Sequence, residues 1–569
     1  MHTPDDSPGD AAPHDAGRRR ALIGLGLAST WLGAAAADGA PAFAATMELD
    51  PERPGRPTNP RLLGSNTPWV YGSEGLMDET GRWVPAMLAR AREWSPPLLR
   101  YPALPDTHHW RQGMGPLAER PPVFAYDGQP LQKIVFGTQE FLETCAALGA
   151  EPLIQVNVHD GDVDALARQA ADWVATLKSR TLRARVGGRA LAPGRLWELG
   201  NEPYLIDSRK ADGRANALFL KPAAYARRAS KVLAAMRAVD PGLRAGLPFA
   251  LDTYSGRPWH RGGETATVVG EQLGFADKVL ATFERPQDIG FLSLHYYMPL
   301  VALDPELDDA APVPADAALY WGALAGTETL RRHLGLVDAF WRQHPRTAAL
   351  PVPPLMVTEY NAFFTNARRH GQELPQNAYV MTLAGALFAA DLVLMLATQP
   401  RVEAALQWSL SNDWVFGAIA ADGGGGARPR PLFRAMLLLR RLLESGGQLL
   451  DTPVAVETTA QARRQVGFAA AVDELPLVSA LATRHGTQLR VLTINKDPAR
   501  STDVRIRLRS RGLVRARVEA LTASAPFAAP DTAAAAANAD AAATLDDDGR
   551  GVSARLAPAS LALWTLDLR

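Results

Sequence analysis

Between residues 60 and 445 the chain repeats one pattern: a short apolar run that reads as a strand, then a longer segment with apolar residues at helical spacing. Few architectures accommodate so long an alternation. Parallel strands joined by crossover helices must form a sheet covered by those helices. Eight strand candidates stand at 61–65, 98–102, 151–158, 195–199, 243–248, 289–297, 355–360 and 404–410. Several are apolar almost throughout, as in Pro152-Leu153-Ile154-Gln155-Val156, which suits strands enclosed on both faces. Between them, Val163, Leu166, Ala170, Trp173, Val174 and Leu177 recur at helical spacing after Asp162, an N-cap residue type. Tyr225, Ala229, Val232, Met236 and Val239 do the same and stop before Pro241. Phe141, Leu142, Cys145 and Leu148 form a stripe that Gly149 ends. The apolar stretch 378–390 is followed by Asp391 and reads as a buried barrel helix, too short for a membrane span. Residues 430–443 supply the last helix. The pattern predicts a (β/α)8 barrel over 60–445, enlarged beyond the usual ~250 residues by loops such as 304–318.

Past residue 445 the grammar changes to short alternating runs, at 478–483, 488–495, 502–508, 516–521, 552–556 and 561–568, separated by turn residues. That is the pattern of a β-sandwich, predicted over 446–569. An Ala/Asp-rich stretch, 523–551, reads as a low-complexity loop within it. Residues 46–59 and 454–458 are expected to add edge strands. The first 45 residues read as a targeting segment. Arg18-Arg19-Arg20 precede an apolar run, 21–37, and then Ala42-Phe43-Ala44, a small-x-small cleavage pattern. Paired arginines beside a Gly/Ala-rich core suggest the twin-arginine export route, hence a periplasmic or extracellular protein with no stable membrane anchor after cleavage. An uncleaved anchor is the competing reading.

Composition excludes some partners. Lys+Arg and Asp+Glu both number 60, so no basic field is available to hold nucleic acid. The single cysteine, Cys145, excludes an internal disulfide and a cysteine-cluster metal site; within a helical stripe it reads as a buried apolar residue. Neither a His-Glu-x-x-His zinc motif nor a phosphate loop is present, and His108-His109 and His159-Asp160 lack further nearby ligands. No metal and no cofactor is expected.

Two glutamates stand where the barrel would place chemistry. In Trp197-Glu198-Leu199-Gly200-Asn201-Glu202-Pro203, Glu202 follows strand four; in Val357-Thr358-Glu359-Tyr360-Asn361, Glu359 ends strand seven. Active sites of such barrels sit at the C-terminal ends of the strands. Two carboxyl groups facing one cleft are what glycoside hydrolysis requires, one protonating the leaving oxygen and the other attacking the anomeric carbon or activating water. The residues support the pair without deciding which takes which role. His295 and Tyr297 alternate along strand six and point the same way.

The assembled motifs resemble the clan A glycoside hydrolases, and most closely the family 51 α-L-arabinofuranosidases. The similarity runs through Leu99-Arg100-Tyr101-Pro102, Trp110-Arg111-Gln112-Gly113-Met114-Gly115-Pro116, Glu119-Arg120-Pro121, Phe136-Gly137-Thr138-Gln139-Glu140-Phe141, Val156-Asn157, Asn201-Glu202 and Leu294-His295-Tyr296-Tyr297. The acid/base segment is also similar to that of heparanase-like β-glucuronidases. The resemblance implies a retaining enzyme that removes terminal, arabinofuranoside-like sugars from polysaccharide or oligosaccharide, with Glu202 as acid/base and Glu359 as nucleophile. It implies that Arg100 orders the nucleophile and the sugar hydroxyls, that Asn201 meets the 2-hydroxyl, that Tyr297 holds Glu359 and that His295 supports the acid or the sugar. Gln407 on strand eight is a candidate for the subsite floor, and Trp408, Trp414 and Trp110 are candidates for stacking on sugar rings. Members of the family often assemble, so a homo-oligomer is compatible with it.

Two positions depart from the family pattern. Where members usually continue as Arg-x-Pro-Gly-Gly-Asn, this chain has Arg100-Tyr101-Pro102-Ala103-Leu104-Pro105, and Gly64-Ser65-Asn66 stand where a sugar-binding glutamate is common. Asn66 is the remaining candidate there for a hydroxyl contact. The departures fall on the sugar pocket, so a clan A β-glycosidase of other specificity, such as a glucuronidase or xylosidase, and a catalytically silent carbohydrate-binding barrel stay open beside the arabinofuranosidase.

Overall fold

The computed structural model describes residues 41–569 apart from 125–130, 186, 187, 189, 193, 207, 210–213, 252–273, 302–308, 310–314, 366, 412–414, 422, 423 and 529–536. Residues 1–40 of the targeting segment and Trp414 lie outside the described residues, as does most of loop 304–318.

Eight parallel strands close into a barrel in sequence order: β1 (Gly64–Asn66), β2 (Leu98–Tyr101), β3 (Glu151–Val156), β4 (Leu196–Leu199), β5 (Arg244–Pro248), β6 (Ile289–Val301), β7 (Leu355–Thr365) and β8 (Val402–Gln407). Among the described residues a helix packs outside after each strand: α1 (Pro85–Trp94), α2 (Thr138–Leu148), α3 (Val163–Lys178), α4 (Pro222–Val239), α5 (Phe275–Thr282), α6 (Asp316–Gln343), α7 (Leu383–Ala397) and α8 (Pro431–Leu442). Local chemistry sets several helix ends. The Asp162 side chain accepts from the Ala165 amide at the start of α3, and Gly149 ends α2 in the left-handed region. Helix α7 is buried along its whole length, as a helix wedged between the barrel and the second domain must be.

The barrel interior is layered. Leu98, Leu153, Leu196, Phe291, Met356, Ala404 and Leu406 form a closed apolar cluster contributed by the strands. Glycine makes room for it. A Cβ at Gly246 would lie 2.0 Å from the Phe291 ring. Two residues further along three of these strands come Arg100, Gln155 and Glu198, fully buried and polar. The period-two alternation of a strand therefore lays a polar floor directly on an apolar plug.

Several boundaries differ from expectation. Residues 61–63 belong to a short 3-10 helix, Pro60–Leu63, capped by the Asn59 side chain, so β1 starts only at Gly64. Strands β6 and β7 run past their expected ends because Met298 pairs with Ala362, Pro299 with Phe363 and Val301 with Thr365, forming a ribbon beyond the barrel. Asp391 lies inside α7 instead of following a helix.

The second domain holds two antiparallel-rich sheets arranged like a sandwich, one of five strands and one of seven. Strand Phe43–Leu49 is interior to the five-stranded sheet, lying between Val454–Val456 and Thr502–Leu508, so the N-terminal segment supplies more than an edge. It begins at Phe43, two residues inside the segment read as a signal, and alternates buried and exposed side chains throughout. The stretch 523–551 is not one loop: Ala537–Ala541 adds to the seven-stranded sheet and Thr544–Leu545 to the five-stranded one. The domains are joined by buried polar contacts. Lys496, just after strand Gln488–Asn495, places its ammonium 3.0 Å from Asp391 Oδ2 of α7, and Tyr320 donates to the Lys496 carbonyl.

Candidate active site

Arg100, at the inner face of β2, is the hub. Its side chain is wholly buried. Nε donates to Glu198 Oε2 at 2.6 Å; Nη1 donates to Glu359 Oε1 at 2.6 Å and Asn66 Oδ1 at 3.0 Å; Nη2 donates to Asn201 Oδ1 at 2.8 Å and lies 3.2 Å from His295 Nε2. A guanidinium has five N–H groups, and each has a partner here. Burial alone would lower the Arg100 pKa, but Glu198 and Glu359 outweigh it and raise it, so the cation is permanent. With no donor left over, Arg100 orders the carboxylates and Asn201, and it has none to spare for a sugar hydroxyl.

Glu359 is held from both sides, by Arg100 at Oε1 and by the Tyr297 hydroxyl, which donates to Oε2 at 2.6 Å. Burial, followed by Glu359 and Glu202, pushes the Tyr297 pKa well up, so its proton stays on and remains available to donate. Glu202 follows β4 with φ 40 and keeps about a quarter of its side chain exposed (26%). Its Oε1 lies 2.8 Å from His295 Nδ1. Arg100 donating to Nε2 places the proton of the neutral imidazole on Nδ1, where it is given to Glu202. Burial alone would lower the pKa of this histidine; Glu359 and Glu202 together raise it. One oxygen of each glutamate and a His295 ring nitrogen all lie within 4.8 Å of one another. That trio has the donor set for a metal ion, yet Glu359 already accepts at both oxygens, which suits an organic substrate better than a cation.

Asn201, His295 and Tyr297 thus converge with the two glutamates at the C-terminal mouth. Asn201 Oδ1 accepts from Arg100 and from Gln155 Nε2 at 3.1 Å, so its amide nitrogen is the group these contacts leave unused. Asn66 and Gln407 lie deeper. Asn66 donates to the Thr358 and Gln407 carbonyls and accepts from Arg100; Gln407 accepts from Ser65 and donates to the Phe416 carbonyl. Both amides are fully buried and spent within the protein, so they support Arg100 and the strand ends and do not reach a sugar. Trp408 stays half-buried at the end of β8. Trp110 is a packing residue, its ring stacked 5.7 Å from Trp173 and its indole N–H on the Gln169 carbonyl.

The sequence reading missed Glu198, which shares Arg100 with Glu359 and also accepts from Thr358 Oγ1 at 3.0 Å. The signal was there: a glutamate between Trp197 and Leu199 in an otherwise apolar barrel strand has to be paired. It also missed Gln155, whose Oε1 accepts from the Ala103 amide at 2.6 Å and which thereby ties the loop after β2 to Asn201.

Residues 98–245 match the family model described as Alpha-L-arabinofuranosidase 1 domain. This agrees with the resemblance carried by the motifs. Among curated proteins, the chain is similar to a probable alpha-L-arabinofuranosidase C of Aspergillus niger, 29% identical over 222 residues, covering 35% of this chain and 40% of that protein. The chain therefore matches well under half the length of that relative. Among solved structures, the fold is similar to the family 51 arabinofuranosidase from Xanthomonas axonopodis pv. citri, with a TM-score of 0.69 at 18% identity, covering 92% of this chain and 100% of that one. It is also similar to the alpha-L-arabinofuranosidase from Thermotoga maritima in its arabinose complex, with a TM-score of 0.68 at 21% identity, covering 93% and 100%.

Proposed function

We propose that the protein is a retaining glycoside hydrolase that removes neutral, arabinofuranose-like terminal sugars from a polysaccharide or oligosaccharide. The observation that carries this is the different treatment of two adjacent carboxyl groups. Glu359, clamped by Arg100 at one oxygen and Tyr297 at the other, is fixed and aimed, as a nucleophile must be. Glu202, partly exposed and bonded through His295, is free to exchange a proton with a leaving group or water. In the first step Glu359 attacks the anomeric carbon, the glycosidic C–O bond breaks, and Glu202 gives its proton to the departing oxygen. In the second, Glu202 takes a proton from water, whose oxygen displaces Glu359. The close approach of the two carboxyl groups favours retention, since inverting pairs stand ~6.5–9.5 Å apart to admit the water.

The same ledger weighs against a glucuronide. A sugar carboxylate needs a cation with donors to spare, and Arg100 has none. Export to a compartment holding such polysaccharides is part of the proposal and rests on the arginine-led apolar segment, 18–44. The test is turnover of aryl α-L-arabinofuranosides, xylosides and glucuronides by wild type, Glu202→Ala and Glu359→Ala. Arabinofuranoside hydrolysis should fall at least 1,000-fold in Glu359→Ala. Added azide should restore turnover in Glu202→Ala with an activated leaving group, giving the azide of retained configuration. Wild-type turnover by Glu202→Ala would remove the assignment.

A further inference from the structure

The loop that leaves β2 is bonded tightly into the site. The Trp69 amide donates to the Pro102 carbonyl, Ala103 (φ 72, in the left-handed region) donates to Gln155, and the His108 amide donates to the Pro105 carbonyl. Ala103, Leu104 and Pro105 carry no polar side chain, so Asp106 is the first residue beyond β2 whose side chain could meet a hydroxyl. Its inner oxygen, Oδ1, is buried and has no hydrogen-bond partner. It lies 3.7 Å from His159 Nε2, which is likewise buried and without a partner. The His159 ring is fixed by Nδ1–H donating to the Leu218 carbonyl at 2.9 Å and by stacking on Tyr225, so Nε2 faces Asp106 as a lone pair. About a fifth of the Asp106 side chain remains exposed (21%).

We propose that Asp106, backed by His159, is a sugar-binding residue of the glycone pocket that accepts a hydrogen bond from a hydroxyl of an uncharged sugar through its outer oxygen. This rests on the glycosidase function proposed above. The charge state agrees with the geometry. Burial, followed by the field of Glu202, pushes the Asp106 carboxyl up to about 8 against the opposing pull of Arg100, while burial takes His159 down to about 4. At neutral pH a protonated carboxyl therefore faces an imidazole acceptor. Its proton turns inward to Nε2, and the carbonyl oxygen is left to turn outward. A carboxyl that makes no hydrogen bond at its inner oxygen, held near Glu202 by a pinned loop, is placed for a ligand. Near Glu202 it adds a further acidic group, which suits a neutral sugar.

The test compares wild type, Asp106→Ala and Asp106→Asn on 4-nitrophenyl α-L-arabinofuranoside and its 2-, 3- and 5-deoxy analogues. Calorimetric binding of L-arabinose serves as a readout independent of turnover. Asp106→Ala should lower kcat/KM and arabinose affinity at least tenfold. Asp106→Asn, which can still donate inward and accept outward, should recover to within about threefold. One deoxy analogue should be a poor substrate for wild type and should lose nothing further in Asp106→Ala. Parent kcat/KM and arabinose binding within twofold of wild type in Asp106→Ala would overturn the proposal, as would equal losses on every analogue. Failure of the glycosidase reading looks different: wild type then releases no nitrophenol, and the binding comparison alone decides for or against Asp106.

Discussion

Replacing Arg100 with lysine keeps the positive charge and removes the fork, so it isolates what the geometry of the guanidinium contributes. Arg100 uses all five N–H groups, on Glu198, Glu359, Asn66, Asn201 and His295, whereas an ammonium offers three from a single point. At least two bonds are lost. The lysine chain ends beyond the position of Nε, so the bond to Glu198 is the first to go. Glu198 is fully buried and would keep only the Thr358 hydroxyl. Hydrogen bonds to charged groups contribute about 1.5–3 kcal/mol each, so two cost roughly 3–6 kcal/mol. That is a large share of the ~5–15 kcal/mol that holds a typical protein folded. The expected result is a soluble enzyme with a Tm lowered by roughly 5–10 °C. With Glu359 less firmly held, kcat should fall about 100- to 1,000-fold, the range seen when one preorganised donor is removed. Scanning calorimetry and aryl-glycoside kinetics measure both. Arg100→Met should be worse, because it strands two carboxylates at about 3–5 kcal/mol each. Adding Glu198→Leu should recover part of that loss, with a coupling of about 2 kcal/mol or more. A lysine variant with Tm within 1 °C and kcat within threefold of wild type would show that charge alone suffices and would refute the hub role.

Two other perturbations test regions away from the hub. Lys496→Met leaves Asp391 buried in α7 without its cation and should cost about 3–5 kcal/mol, read as a lowered Tm with unchanged kcat. The double variant Lys496→Met/Asp391→Leu should regain most of it, and an unaltered Tm in the single variant would contradict the domain tie. Asp106 makes stability depend on pH. Its folded-state pKa, about 8, stands above the ordinary 3.8, so the folded protein holds a proton that the unfolded chain has released. Between those values stability must fall as pH rises, by about 6 kcal/mol at most. Asp106→Asn removes that slope and should be the more stable protein at pH 8.5 but not at pH 4. Parallel stability profiles from pH 4 to 8.5 would speak against it.

The barrel was legible because its strands are apolar and its helices periodic, two signals that do not depend on distant parts of the chain. Where boundaries slipped, a distant partner had decided them. Pro299 looks like the end of β6, yet Met298 through Val301 continue as strand because β7 runs alongside. The Ala/Asp composition of 523–551 hides two strands whose existence depends on free edges offered by Val518–Thr522 and Val552–Ser553. At Phe43 the period-two pattern was visible but overlapped a cleavage-like tripeptide. In the site, the two glutamates and the His295/Tyr297 pair could be read from strand position, and Arg100 from the family resemblance. Which amides face a ligand could not. Asn66 and Gln407 stand at strand ends like Asn201, and only the register of their neighbours shows that their hydrogen-bonding capacity is spent inside. Asp106 sits on a loop, where no periodicity points anywhere.

Those two kinds of position predict two kinds of kinetic behaviour. Arg100, Glu198, Asn66 and Gln407 are fully buried, and a lost partner there leaves a desolvated polar atom beside the reacting groups. Substitutions in this layer should therefore lower stability and kcat together, whatever glycoside is offered. Asp106 Oδ1 makes no hydrogen bond within the protein, its nearest neighbour being His159 Nε2 at 3.7 Å, so its substitution should leave kcat near wild type at saturation and act through KM, more for one sugar than another. On the proposed roles, substitutions in the loop after β2 should change sugar selection without disturbing the layer that holds Glu359. Here one of the two departures from the family pattern falls at Ala103–Pro105, in that loop, and the other at Gly64-Ser65-Asn66 in the buried layer, while the clamp on Glu359 is complete.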